Sequence, residues 1–303
     1  LFPYTTLFRS LEVGAIDGPD AAIIWQQRLP RAVVALIAGA GLGAAGALTQ
    51  ALTRNPLAEP GTLGISSGAS LVVALGIVAA PDLPMAAQLL LAVIGAAVSG
   101  VLVLIAGGVL VGRHNSLRLV LAGAALSALT QAATSYLVLG DAQAFQGFRH
   151  WHAGIVAPRP WGLAGVCGVL IVCALAVLLV LARAIDALGL GDDMGHALGA
   201  RPRRTWAMAG CVTVLLASAA TALVGPISFL GLAAPLAVRW ATGPRTARLT
   251  VWSAVAGAAI LLLGDVLGRV MLPPREVTAG VMCGLLGAPA FVVLARRAKM
   301  VAL

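Results

Sequence analysis

The chain has 303 residues, 60% of them hydrophobic and only 10% charged, with a mean hydropathy of +0.99. Soluble domains carry roughly 25% charged residues, so this composition excludes a water-solvated globular surface. It points to an all-α integral membrane protein, because a helix satisfies its own backbone polar groups inside lipid. The net charge of +9 does not argue for nucleic acid, since the basic residues lie in short stretches between apolar runs, as membrane orientation requires.

The first ten residues, LFPYTTLFRS, read as the translation of a sequencing adapter and are set aside. Residues 11–303 are read as one transmembrane domain whose first helix is expected to be missing upstream. Nine apolar runs follow, at 31–52, 64–80, 86–111, 117–139, 162–185, 205–224, 227–242, 249–271 and 277–295. A span needs about 20 apolar residues. The second and seventh runs are short and open on EPGTLGISSGAS and VGPISFLGLAAP. They are expected to be broken or partly re-entrant helices, and such interrupted pairs in two halves of a chain point to an internal repeat.

Between the first two runs stands RNPLAEPG, residues 54–61. Pro56 and Pro60 disfavour helix at the residues before them and end the span. Gly61 and Gly64 let the chain turn back, and Glu59 is expected to be structural rather than catalytic. Irregular backbone at membrane depth is tolerated only where it is buried in protein or lines a cavity.

With the C-terminus placed inside, Arg28, Arg31, Arg149, Arg159, Arg269 and Arg275 lie outside. Apart from Arg9 in the excluded stretch, the remaining thirteen Lys and Arg residues lie at inner ends and loops. That asymmetry supports an inside C-terminus. The longest polar stretch, RAIDALGLGDDMGHALGARPRRTW (183–206), is then inside. It exceeds the 2–8 residues typical of helix connections, and is expected to be a docking surface for a soluble partner rather than a solvated loop.

Chemistry is sparse. The sole lysine is Lys299, so no G-x-x-x-x-G-K-[ST] loop can hold nucleotide phosphates, and no catalytic residue is assigned. Cys167, Cys173, Cys211 and Cys283 fall in apolar runs without C-x-x-C spacing and are expected to be small buried thiols, with no metal or cofactor site. His150 and His152 in FRHWHAG are expected to be interfacial structure rather than metal ligands. Asp265, deep in a span, is costly there unless paired; Arg269, one turn on, is the expected partner.

Six blocks in order carry a resemblance: RLPRAVVALIAGAGLGAAGALTQALTRNPLAEPGTLGISSGAS (28–70), LVLAGAALSAL (119–129), LGLGDDMGHALGAR (188–201), GPISFLGLAAPLAVR (225–239), GDVLGR (264–269) and GVMCGLLGAPAF (280–291). The chain resembles the FecCD-type permease subunits of bacterial importers for iron-siderophores, haem and cobalamin. That resemblance implies a ten-helix subunit in the inner membrane, paired with a second permease subunit. It further implies two copies of a cytoplasmic ATP-binding subunit below and a periplasmic or lipoprotein substrate-binding protein above.

Carried onto matching positions, the resemblance implies a coupling surface of Leu190, Gly191, Asp192, Asp193, Met194, Gly195, Ala197, Leu198 and Gly199, with Asp186 and the arginines of 183–204 nearby. Arg28, Arg31, Arg269 and Arg275 are implied docking positions for the binding protein, against the plainer reading that such arginines snorkel to the interface. Ser116 and Leu117 in GRHNSLRL match a cytoplasmic constriction, where an apolar ring closes a pore by dewetting. An ordinary helix N-cap at Asn115 or Ser116 is the competing reading. Two departures stand out: Pro235-Leu236, where relatives often carry Pro-His, and REVTAGV (275–281) in place of ELPxGV. The latter leans toward siderophore rather than cobalamin permeases. A secondary transporter driven by an ion gradient is the alternative of a different class, and it predicts several intramembrane acids.

Overall fold

The computed structural model describes residues 23–112, 115–272 and 275–297. Leu1–Ser10, set aside in the sequence, and Arg113 and His114 lie outside the described residues.

All regular structure among the described residues is helical. The helices are α1 (Leu29–Thr53, entered through a π-helical turn, Ile24–Arg28), α2 (Ile65–Ala79), α3 (Met85–Ala106), α4 (Ser116–Leu139), α5 (Ala142–His152), α6 (Trp161–Gly189), α7 (Asp192–Ala197), α8 (Pro202–Val224), α9 (Leu230–Thr242), α10 (Thr246–Met271) and α11 (Ala279–Arg297). Six are long and apolar enough to cross a membrane: α1, α3, α4, α6, α8 and α10. Three shorter apolar segments, Ile65–Ala79, Leu230–Arg239 and Ala279–Pro289, complete the set. Each of the nine runs in the sequence thus becomes one helix. The second and seventh are short, as their Pro/Gly-rich openings predict.

Helix α1 is the central post. Every residue from Gly41 to Gln50 is buried, and it packs against α10, α8 and α9. Small residues make this approach possible. A Cβ at Gly43 would collide with the Ser253 carbonyl of α10, and one at Gly46 with the Gly231 carbonyl of α9. Around the post, α2 packs on α3 and α4, while α6 packs on α8 and, more lightly, on α1 and α10.

Three details refine or correct the expectations. The polar stretch 183–206 is mostly helix: α6 runs on to Gly189, and only short links flank α7. Asp186 caps α10: its Oδ1 accepts the Thr246 N–H at 2.8 Å, where an acid meets the positive end of the helix dipole. Cys167 and Cys283 are buried, but Cys173 and Cys211 are exposed, because those positions fall on outward helix faces where lipid suits a thiol as well as a core does.

Candidate functional site: a hydroxyl-lined groove between two charged clusters

A groove of about 1040 Å³ opens between α2, α4, α5 and the two irregular segments. Its walls mix hydroxyl and small side chains with larger apolar ones such as Val120, Leu139 and Ile227. Ser66, Ser67 and Ser70 come from α2, facing Ser127, Gln131 and Ser135 of α4. Ser67, Ser70 and Thr134 donate to the carbonyls of Gly64, Ser66 and Thr130, which lets hydroxyls line a wall without orphaned donors.

The floor is built by the interruption the sequence marks most plainly. Arg54 ends α1 in the left-handed region at φ 48°, and Phe229 opens α9 at φ 66°. Such angles are costly for bulky residues and persist only where surroundings hold them. Both are held. The Phe229 N–H donates to Glu59 Oε2 at 2.8 Å, so one acid ties the first break to the second and caps α9. Pro60 packs on Gly231 in the same place. Glu59 is therefore structural, as its surroundings in the sequence suggest. Burial raises its pKa above the ordinary carboxylate range, while the Phe229 hydrogen bond acts in the opposite sense.

Arg54 reaches from this turn to α7. Its guanidinium pairs with Asp192 at 2.8 Å, donates to the Leu188 carbonyl at 3.3 Å and lies 5.8 Å above the Trp206 ring. Trp206 Nε1 also donates to Asp192 at 3.4 Å. Helix α7 is thereby pinned to the turn that floors the groove. Asp193 stays exposed, and so do Leu190, Met194 and Leu198 on and around α7. Gly191 and Gly199 take positive φ at the two ends of α7, Gly195 is buried against Leu188, and Ala197 is exposed.

At the opposite end, Asp265 is 2% exposed and held from two helices. Arg269 reaches it at 3.1 Å along α10, the partner its spacing predicts. Arg31 of α1 adds a closer contact at 2.8 Å and also pairs with Glu276 at 2.9 Å. That second arginine lies 234 positions away and no local pattern announces it. Arg28 and Arg275 are exposed on the same end. Arg159, counted among the outside arginines, is buried and donates to the Leu223 carbonyl at 2.9 Å. Its fork satisfies the end of α8, where the last carbonyls lack intrahelical partners.

Ser116 begins α4, and Asn115 caps it by accepting the Arg118 N–H at 3.0 Å. The N-cap reading of this turn thus holds, and Leu117 beside it is 67% exposed. On α5 the sequence reading named Arg149 only as an outside charge and His152 only as interfacial structure, and left the groove-lining face unmarked. Phe145, Phe148, Arg149 and His152 line the groove at i, i+3, i+4 and i+7, the spacing of one helix face. That periodicity in AFQGFRHWH could have revealed them. The His152 ring stacks on Phe148 at 5.0 Å and lies 3.4 Å from Ser70 Oγ; the side chain of His150 lies outside the described ones.

Comparison with known proteins agrees with this architecture. The ferric enterobactin transport system permease protein FepD of Escherichia coli is 38% identical over 94% of this chain and 85% of its own length. The Fe(3+) dicitrate transport system permease protein FecC of the same organism is also 38% identical, over 95% and 87%. The hemin transport system permease protein HmuU of Yersinia pestis is 36% identical over 91% and 84%. Among solved structures, a metal-chelate type ABC transporter in an inward-facing conformation superposes with a TM-score of 0.85 at 27% identity, covering 95% of this chain and 91% of that one. The profile of the FecCD transport family matches residues 2–297, and the chain belongs to that family.

Proposed function

We propose that this chain is the membrane subunit of an ATP-driven importer that moves a ferric siderophore or related metal chelate across the bacterial inner membrane. The observation that carries the reading is the groove: about 1040 Å³, walled by hydroxyl, small and apolar side chains, with no cluster of three potential metal-ligating side chains among the described residues. Such a lining passes a bulky chelate without stripping its metal. Energy comes from two copies of a separate ATP-binding subunit, and a second permease subunit completes the pathway.

The ATPase meets the exposed Leu190, Asp193, Met194 and Leu198. Asp192 serves the inward contact to Arg54, so closure of the ATPase pair moves α7 and the floor of the groove as one body. A periplasmic or lipoprotein binding protein docks on Arg28, Arg31, Arg269 and Arg275, whose charges steer encounter and fix orientation. Arg28 and Arg275 are exposed and make no ion pair among the described residues, whereas Arg31 and Arg269 also hold Asp265. Ser116 and Leu117 narrow the inner end of the pathway.

Asp265 bears on the ion-coupled alternative. A carboxylate clamped by two arginines is a poor proton relay, which favours the ATP-driven reading. Within the family, haem and cobalamin remain the alternative cargoes. The test is uptake of radiolabelled ferric chelate into proteoliposomes holding the permease, its cognate ATPase and binding protein. Uptake that requires internal ATP supports the proposal. Uptake that follows an ion gradient in ATP-free vesicles refutes it.

A further inference from the structure

The groove is not electrically neutral, and its charge is confined to one wall. Of its lining residues, Glu59, Arg149 and His152 carry titratable side chains. Glu59 spends an oxygen on the Phe229 N–H, and burial disfavours its charged form. His152 is desolvated beside Phe148, which lowers its pKa and leaves it a neutral hydrogen-bonding ring. Arg149 stands one helical turn away, exposed to the groove and with no ion pair or side-chain hydrogen bond among the described residues.

The facing wall offers the matching donors. Ser67, Ser70 and Thr134 have committed their hydrogens to backbone carbonyls. Gln131 and Ser135 of α4 line the groove with no hydrogen bond among the described residues, so the amide of Gln131 and the hydroxyl of Ser135 can donate to a cargo. An unpaired guanidinium opposite neutral donors favours negative charge between them. We infer that the face of α5 carrying Arg149 is a selectivity element that favours anionic chelates over neutral ones. This rests on the groove being the cargo site.

The test uses the full chain in nanodiscs of zwitterionic lipid, with two ferric probes of similar size: the anionic tris-catecholate complex and the neutral tris-acetohydroxamate complex. Equilibrium retention of radiolabelled iron gives both affinities. The anionic complex is expected to bind roughly tenfold tighter or more, as a charged hydrogen bond is worth, with the margin shrinking as salt is raised. Arg149→Gln should weaken the anionic complex far more than the neutral one and so remove the margin; Arg149→Lys should keep most of it. Arg149 is exposed on the groove wall, so neither variant disturbs packing. Equal affinities in the unaltered chain, or a margin that survives Arg149→Gln, overturn the inference. Anion preference without ATP-dependent uptake in proteoliposomes would sink the importer reading and leave this one standing.

Discussion

Helices α4 and α6 expose similar amounts of surface and do so to different surroundings. Helix α6 has a mean hydropathy of 3.0 over its best window and presents Val166, Val169, Val172 and Val180 outward. Helix α4 has a mean hydropathy of only 1.3 and turns Ser127, Gln131 and Ser135 to the groove. Exposure by itself therefore says nothing about solvent here. An outward face of branched aliphatics suits lipid, while an outward face that alternates Leu with hydroxyls needs water or cargo on part of its circumference.

The sharpest way to break that comparison is to place one charge on each face. Val172→Asp should cost about 2.5–3.5 kcal/mol of insertion and deplete folded protein in the membrane fraction. Gln131→Asp should be accepted, since its side chain meets the groove. Equal losses in the two variants would mean that α4 also faces lipid. Next in size is the buried reference, α1. Gly43→Val forces a side chain into the Ser253 carbonyl and should cost about 1–3 kcal/mol, read as a lower unfolding midpoint in detergent.

A smaller effect is expected at the groove floor. Glu59→Ala removes the acceptor of the Phe229 N–H and should cost about 1 kcal/mol, as other helix caps do. Glu59→Gln keeps an oxygen there and should cost less; parity between the two would show that the contact contributes nothing. Smallest is the inner tether. Arg54 and Asp192 are 45% and 44% exposed, so Asp192→Asn should change stability by 0.2–1 kcal/mol at most. The exchange of Arg54→Asp with Asp192→Arg should recover ATP-dependent uptake lost in either single variant, measured in energised vesicles. Failure to recover would show that the two residues act separately.

How much of this was legible in the sequence varies by feature. Nine apolar runs became nine helices, and the breaks at RNPLAEPG and VGPISF fell where Pro and Gly placed them. The pairing of Asp265 with Arg269 was readable too, since one helical turn separates them. Helix α5 escaped notice because eleven residues of mixed polarity give no hydropathy peak. Only its i, i+3, i+4, i+7 periodicity betrayed a face. The sequence did not show that Arg159 is buried, because its acceptor, the Leu223 carbonyl, belongs to a helix end 64 residues away.

The sequence by itself determined the environment, the number and placement of the apolar helices and the points at which they break. Those follow from local physics: lipid demands a long apolar segment with internally satisfied backbone, and proline ends it. Only the tertiary structure decided which outward faces form the groove. It alone brought Arg31 to Asp265, Arg54 to Asp192 and Glu59 to Phe229. Each of these partnerships joins residues more than a hundred positions apart, and no periodicity along a chain encodes a contact that exists only after helices have packed.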